Sequence, residues 1–207
     1  MIGTFAIQNI FLQKSKNSKR GSELRNPDLI MFVGPMFGSK TTRLIAALER
    51  YKYQGKTISA FKPMIDNRYS SGEIVTHNGG RIRAKCVASG QDIIESLRGN
   101  PAEVVAIDEA FMIEGVGDVV IDLYRSGTSV LISSLDLSSK AQPFYEVSKM
   151  MPWATKIVKC PSVCAQCQED AYFTYRKFDD DRELLVGGSE MYEPRCFKHY
   201  KKQLTSN

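Results

Sequence analysis

The chain has 207 residues, 43% of them apolar, enough to bury one substantial core with a small satellite but not two full-sized domains. Its 28 basic and 23 acidic residues leave a net charge of +5, and Lys14, Lys16, Lys19, Arg20 and Arg25, against the single acid Glu23, carry most of it. The remainder is nearly neutral, so a nucleic-acid groove is not the first expectation, and no apolar run approaches the roughly 18 residues of a membrane span.

Residues 1–27 are basic and poor in acids, and read as a disordered extension in preference to an organelle-targeting peptide. The expectation is a soluble, cytoplasmic protein. From Leu29, LIMFVG predicts a short buried strand that gives way at Gly34 to a loop and then a helix, SKTTRLIAALERYKYQ, closed by Gly55. KTISAFKP supplies a second strand. The following MIDNRYSSGEIVTHNGGRIRA has no clear period and reads as a long surface loop with functional potential. Ser89 is placed to cap a helix through QDIIESLR, and EVVAID is a third strand. A helix around GVGDVVIDLYRS and a strand TSVLISS complete an alternating pattern of the kind that builds a parallel sheet covered by helices.

The segment GPMFGSKTT, Gly34 to Thr42, follows a predicted strand and opens a predicted helix, the context a phosphate-binding loop requires. Backbone amides and the positive helix end hold phosphate oxygens there. Lys40 would reach the β and γ phosphates of ATP, and Thr41 would offer its hydroxyl to Mg²⁺. The usual glycine before the lysine is replaced by Ser39, which adds a β-carbon where backbone passes close to phosphate, so weaker ATP binding is expected unless Gly38 takes up the unusual backbone angles.

Asp108 and Glu109 close the strand VVAI at the carboxyl edge of the sheet, where ligands bind in open α/β folds. Asp108 suits Mg²⁺. Glu109 is the acid expected to take a proton from an attacking hydroxyl, the catalytic base of the reaction.

Beyond Lys159, CPSVCAQCQEDAYFTYRK and ELLVGGSEMYEPRCFKHY read as two hairpin arms. Cys164 with Cys167 forms one knuckle and Cys196 with His199 another, four ligands that satisfy tetrahedral Zn²⁺ and leave no open position, so the metal would be structural. Cys86 and Cys160 lack partners at ligand spacing. The fold expected is therefore α/β: a P-loop NTPase-like parallel sheet flanked by helices over residues 28–159, and a small C-terminal zinc-binding lobe over residues 160–207.

Together these segments resemble the type II thymidine kinases over nearly all of residues 29–200. GPMFGSKTT looks like the family's phosphate loop, DNRYSSGEIVTH like the start of its flexible lasso, and VVAIDEAF like its metal-and-base strand. SLDLSSKAQPF is similar to the segment after its fourth strand, and VCAQC, GGSEMYEPRC and His199 to its zinc lobe. The resemblance implies transfer of the γ-phosphoryl group of ATP to the 5′-hydroxyl of thymidine, with Mg²⁺ and structural Zn²⁺. It implies Gly34, Met36, Phe37, Gly38, Ser39, Lys40, Thr41 and Thr42 at the ATP phosphates, Asp66 and Arg68 near the triphosphate, Asp108 at the metal and Glu109 as base. Met36, Leu135, Thr174 and Tyr192 would line the thymidine pocket, while backbone at Val186, Gly187 and Gly188, in a lasso over the nucleoside, would read the base edge. A homotetramer and feedback inhibition by dTTP are implied as well.

The chain departs from the family at Phe111, Met112 and Ser139, where a glutamine, a phenylalanine and an aromatic are usual, so weaker base stacking is expected. Two other readings stay open. One is a nucleotide-binding protein of this fold with altered nucleoside specificity or no kinase activity; the other is a nucleic-acid zinc ribbon, against which the arms carry no dense basic stripe.

Overall fold

The computed structural model describes residues 26–65, 72–76, 79–180, 182 and 185–204. Strand β1 (Leu29–Val33) leads through the phosphate loop to helix α1 (Lys40–Tyr53), followed by β2 (Ile58–Pro63). A small antiparallel hairpin, β3 (Glu73–Val75) and β4 (Arg81–Arg83), precedes β5 (Lys85–Val87) and helix α2 (Gly90–Gly99). Next come β6 (Val104–Ile107), a 3₁₀ turn over Ala110–Met112, helix α3 (Val116–Arg125) and β7 (Ser129–Ser134). Helix α4 (Tyr145–Met150) and β8 (Lys156–Lys159) complete this half of the chain.

Six strands form one sheet in the order β5-β2-β6-β7-β1-β8, and every pairing in it is parallel. Both faces are apolar. Leu29, Met31 and Val33 of β1, with Val105 and Ile107 of β6, pack against Ile93, Leu97, Val116, Val120 and Met150 from α2, α3 and α4. The alternate residues Phe32, Val104, Ala106 and Leu131 meet Leu44 and Leu48 of α1. A strand covered on both sides reads as a continuous apolar run, which is why LIMFV and VVAI stand out in the sequence. In α1, Lys40, Leu44 and Leu48 recur every four residues and are its buried positions. Truncating Leu44 to alanine would cost about 2–5 kcal/mol by leaving a cavity under the sheet.

The Ser89 cap forms as expected: its hydroxyl accepts from Asp92 N, and the Asp92 carboxylate accepts from the Ser89 and Ala88 amides. The long loop after β2 is only partly irregular, since it contains the β3–β4 hairpin and delivers β5 to the sheet edge.

Beyond β8, strands β9 (Ser162–Val163) and β10 (Asp170–Ala171) form an antiparallel hairpin with Cys164 and Cys167 between them. Strand β11 (Phe173–Arg176) pairs with β12 (Tyr192–Arg195), and helix α5 (Phe197–Leu204) follows. The two arms expected from the sequence are thus not independent hairpins, because β11 of the first pairs with β12 of the second. Parallel order brings the carboxyl ends of β1, β6 and β7 to one edge, with β7 between the phosphate loop and the acidic pair.

Candidate active site

The phosphate loop lies directly on the chain leaving β8. Cys160 N donates to Val33 O at 2.7 Å, and the Cys160 carbonyl sits under both Gly34 and Gly38. A β-carbon on Gly38 would stand 2.6 Å from that oxygen, closer than any side chain tolerates. The left-handed angles fall elsewhere, at Phe37 (φ 63°) and Ser39 (φ 55°). This corrects the expectation for Gly38: the glycine is needed for space, and Ser39 itself carries the angles a glycine would accept more easily.

Lys40 is buried and its Nζ donates to Pro35 O at 2.6 Å. Burial pulls its pKa down, opposed by the charges of Glu109 and then Asp108. Thr41 Oγ1 donates to Asp108 at 3.0 and 3.3 Å to its two oxygens, and the Ser133 hydroxyl donates to the same carboxylate from β7. A buried aspartate that faces hydroxyls next to a phosphate loop is a hard-oxygen site of the kind that suits Mg²⁺. Thr42 is half-buried on α1. Asp66 and Arg68, and the histidine His77, lie outside the described residues.

Glu109 adopts φ 50° and ψ 45° at the end of β6, a left-handed turn that costs a non-glycine residue about 1–3 kcal/mol and recurs at functional sites. The turn sends two consecutive carboxylates different ways. Asp108 meets Thr41 of the phosphate loop, while Glu109 lines an adjacent cleft of about 440 Å³, open mouth included.

That cleft gathers residues from distant parts of the chain. Met36, Leu135, Thr174, Val186, Gly187 and Tyr192 all line it. Gly188 does not; its carbonyl accepts from Met191 N and Tyr192 N and its amide donates to Glu190, so it turns the chain back toward β12. Phe111, Met112 and Ser139 are at the cleft wall too. Phe111 N donates to Ser134 Oγ, and its ring lies against Phe144 with centroids 4.6 Å apart, so an aromatic wall exists despite the serine at 139. Thr174 Oγ1 accepts from Met36 N at 3.0 Å, joining β11 to the phosphate loop.

Ser133, Ser138, Phe144, Arg176 and Leu185 were not singled out by sequence reasoning. A signal existed for Ser133, a polar residue next to the end of an apolar strand. For Arg176 there was none. It is buried, its Nη1 donates to the carbonyls of Asp180 and Arg182 at 2.8 Å each, and its guanidinium stands 5.7 Å from the Tyr192 ring centroid. The Tyr192 hydroxyl in turn donates to Leu185 O.

Cys164, Cys167, Cys196 and His199 form one cluster with all four ligand atoms within 4.8 Å of one another. The Cys167 and Cys196 sulfurs are 3.7 Å apart, and His199 Nδ1 lies 3.6 Å from Cys164 and 3.2 Å from Cys196. Ligands about 2.3 Å (sulfur) and about 2.0 Å (nitrogen) from a tetrahedral Zn²⁺ stand about 3.5–3.8 Å from each other, close to the separations here, and the donor set is compatible with zinc. A disulfide needs its sulfurs at about 2.05 Å, which these are not. Cys86 and Cys160 lie outside the cluster.

The family model described as thymidine kinase matches residues 27–200. Thymidine kinases from two strains of Bacteroides fragilis are each 34% identical over 172 residues, covering 83% of this chain and 85% of the relative. Among solved structures, a DNA replication initiation factor aligns with TM-score 0.40 and 13% identity, over 77% of this chain and 46% of its own. AMPPCP-bound DnaA from Aquifex aeolicus gives 0.41 and 12%, over 77% and 47%. The chain spans less than half of these two structures, and likeness at this level carries no argument about function.

Proposed function

The chain belongs to the thymidine kinase family, and from that premise we propose that it transfers the γ-phosphoryl group of ATP to the 5′-hydroxyl of thymidine, giving dTMP. The observation that carries the reading is the divergence of the acidic pair, with Asp108 bonded to Thr41 at the phosphate loop and Glu109 facing the neighbouring cleft. This divergence supports a phosphoryl donor and an acceptor bound on two sides of one turn of backbone.

In this reading, loop amides and Lys40 bind the ATP phosphates. The buried ammonium of Lys40, poorly stabilised by burial, gains from an anionic partner. Thr41 and Asp108 would hold Mg²⁺, which supplies neutralisation of phosphate charge when bound. Glu109 accepts the proton of the 5′-hydroxyl as it attacks, and no covalent enzyme intermediate is required. Met36, Leu135, Thr174 and Tyr192 contain the nucleoside, Val186 and Gly187 supply backbone over the base, and Asp66 and Arg68 act at the triphosphate. Cys164, Cys167, Cys196 and His199 would hold a structural Zn²⁺, since four protein ligands leave it no open position. The same family reading proposes a homotetramer in the cytoplasm with dTTP as feedback inhibitor. Among the described residues no helix is long and apolar enough to cross a membrane.

Altered nucleoside specificity is the second reading, favoured by the wall of Phe111, Phe144, Ser138 and Ser139. ATP- and Mg²⁺-dependent phosphorylation of thymidine, run beside deoxyuridine, deoxycytidine and the purine deoxynucleosides, separates the two. Thymidine is expected to be the preferred acceptor. Turnover of another nucleoside alone would move the specificity, and silence with all of them, from folded and zinc-loaded protein, would overturn the kinase reading. Glu109→Gln should lower kcat about 100-fold or more and leave ATP binding nearly unchanged; undiminished turnover would remove Glu109 from the base role.

A further inference from the structure

One wall of the cleft is a self-tied turn between β7 and α4. Ser138 N donates to Gln142 O at 2.8 Å, Ala141 N to Ser138 O at 3.0 Å, and Leu137 bridges Pro143. The Ser138 hydroxyl accepts from Lys140 N and Gln142 N, and Ala141 is held at φ 56°, in the left-handed region. Such a turn is internally bonded yet conformationally costly, so its placement against the rest of the molecule depends on contacts from outside it.

Tyr200 makes one of those contacts from 61 residues away. Its hydroxyl donates to Ser139 O at 2.7 Å. The residue is 1% exposed, and its ring stacks on Phe173 with centroids 4.7 Å apart and planes at 16°. Phe173 immediately precedes Thr174, which faces the cleft and holds Met36 N. On α5, Tyr200 directly follows His199 of the Cys/His cluster, and Tyr200 N donates to Cys196 O. The cluster therefore fixes the helix turn from which the tyrosine reaches the cleft wall, and one stacked unit touches two walls at once: Ser139 through Tyr200 and the phosphate loop through Thr174.

We propose that Tyr200 is a positioning residue for the nucleoside: its hydroxyl holds the Ser138–Ser139 wall of the cleft in place from the metal-binding lobe. The inference rests on the assignment of this cleft to the nucleoside. A buried tyrosine hydroxyl needs a partner for stability alone, so the distinguishing quantity is which substrate feels its loss. A purely structural bond weakens the fold without favouring one substrate. A positioning bond acts on the nucleoside and spares ATP, because Ser139 lies on the cleft wall and not in the phosphate loop.

The experiment is Tyr200→Phe, which keeps the ring and its stack and deletes only the hydroxyl. Thr155→Val is the control: it removes hydroxyl bonds to Leu29 N and O at the far end of β1. KM for thymidine and for ATP, kcat, and the calorimetric Kd for thymidine are measured for both variants, well below their melting temperatures. One hydrogen bond corresponds to about a two- to tenfold change. The expected result for Tyr200→Phe is a rise of that size in thymidine KM and Kd, with ATP KM within about twofold of wild type and no such split in Thr155→Val. An unchanged thymidine KM, or equal rises for both substrates, overturns the proposal. If the wild-type chain turns over another nucleoside instead, the same measurement is made with that nucleoside, and the thymidine specificity fails separately from the tether. No binding of any nucleoside by wild-type protein overturns both.

Discussion

Two adjacent residues of the phosphate loop should respond to small substitutions in opposite directions. Ser39 stands at φ 55° and ψ 26° with its side chain exposed and making no capping bond. Glycine there relieves a left-handed penalty of about 1–2 kcal/mol. Against this, the added freedom of the unfolded chain costs about 0.4–1 kcal/mol, so Ser39→Gly should stabilise the protein by about 0.8 kcal/mol, within a span of about 0 to 1.6. For a chain of this length that is a rise of about 1–4 °C in Tm. Gly38→Ala instead drives a methyl group to 2.6 Å from Cys160 O and 3.2 Å from Pro35 O, both backbone atoms that cannot swing aside. Overpacking of this kind costs about 1–3 kcal/mol. The loop must also lift from Cys160, which should raise the KM for ATP on the order of tenfold or more, whereas Ser39→Gly leaves it within about twofold. Thermal unfolding of both variants, followed by ATP kinetics, checks the reasoning. Equal destabilisation by the two changes, or a tolerated Gly38→Ala, would refute the packing account.

Asp108→Asn preserves shape but removes the charge and turns one of the two acceptor oxygens beside Thr41 into an amide donor. Turnover should fall about 100-fold or more and Mg²⁺ titration should no longer saturate in the same range; a normal Mg²⁺ dependence would exclude Asp108 from the metal site. Cys196→Ser should drop bound zinc well below one equivalent by mass-spectrometric metal analysis and lower Tm by several degrees, about 2–4 °C for each kcal/mol lost. Full zinc retention would mean that Cys196 is not a ligand.

The parts of this architecture legible in the sequence are those written in contiguous residues. GPMFGSKTT, VVAIDE and the two Cys/His knuckles each place their chemistry within a few positions, and strands buried on both faces appear as apolar runs. The edge strands β5 and β8 were hidden. KCV and KIVK are too short to show a period, and edge strands carry lysines that mask their place in the sheet. Helix α4, only six residues long, left no clear pattern either. The cleft was reached through resemblance, since nothing in local spacing unites Met36, Leu135 and Tyr192. Phe144 and Arg176 lie in ordinary contexts along the chain and acquire their positions only when β7, β11 and the backbone of residues 180 and 182 converge. Gly38 and Ser39 show a subtler limit: composition marks a glycine-rich turn, but only the Cys160 carbonyl beneath it tells which glycine is needed for room.

That carbonyl also bears on how the protein can be taken apart. Boundaries between separable units usually run through exposed linkers crossed by few contacts, yet the passage from β8 to β9 holds a buried cysteine whose amide ends one ladder and whose oxygen lies under the loop at Gly34 and Gly38. The junction is a structural member rather than a tether. Grafting this lobe onto another parallel-sheet scaffold, or splicing even one residue between Lys159 and Pro161, would shift the support under Gly34 and Gly38. The lobe is therefore exchangeable only together with the strand that precedes it.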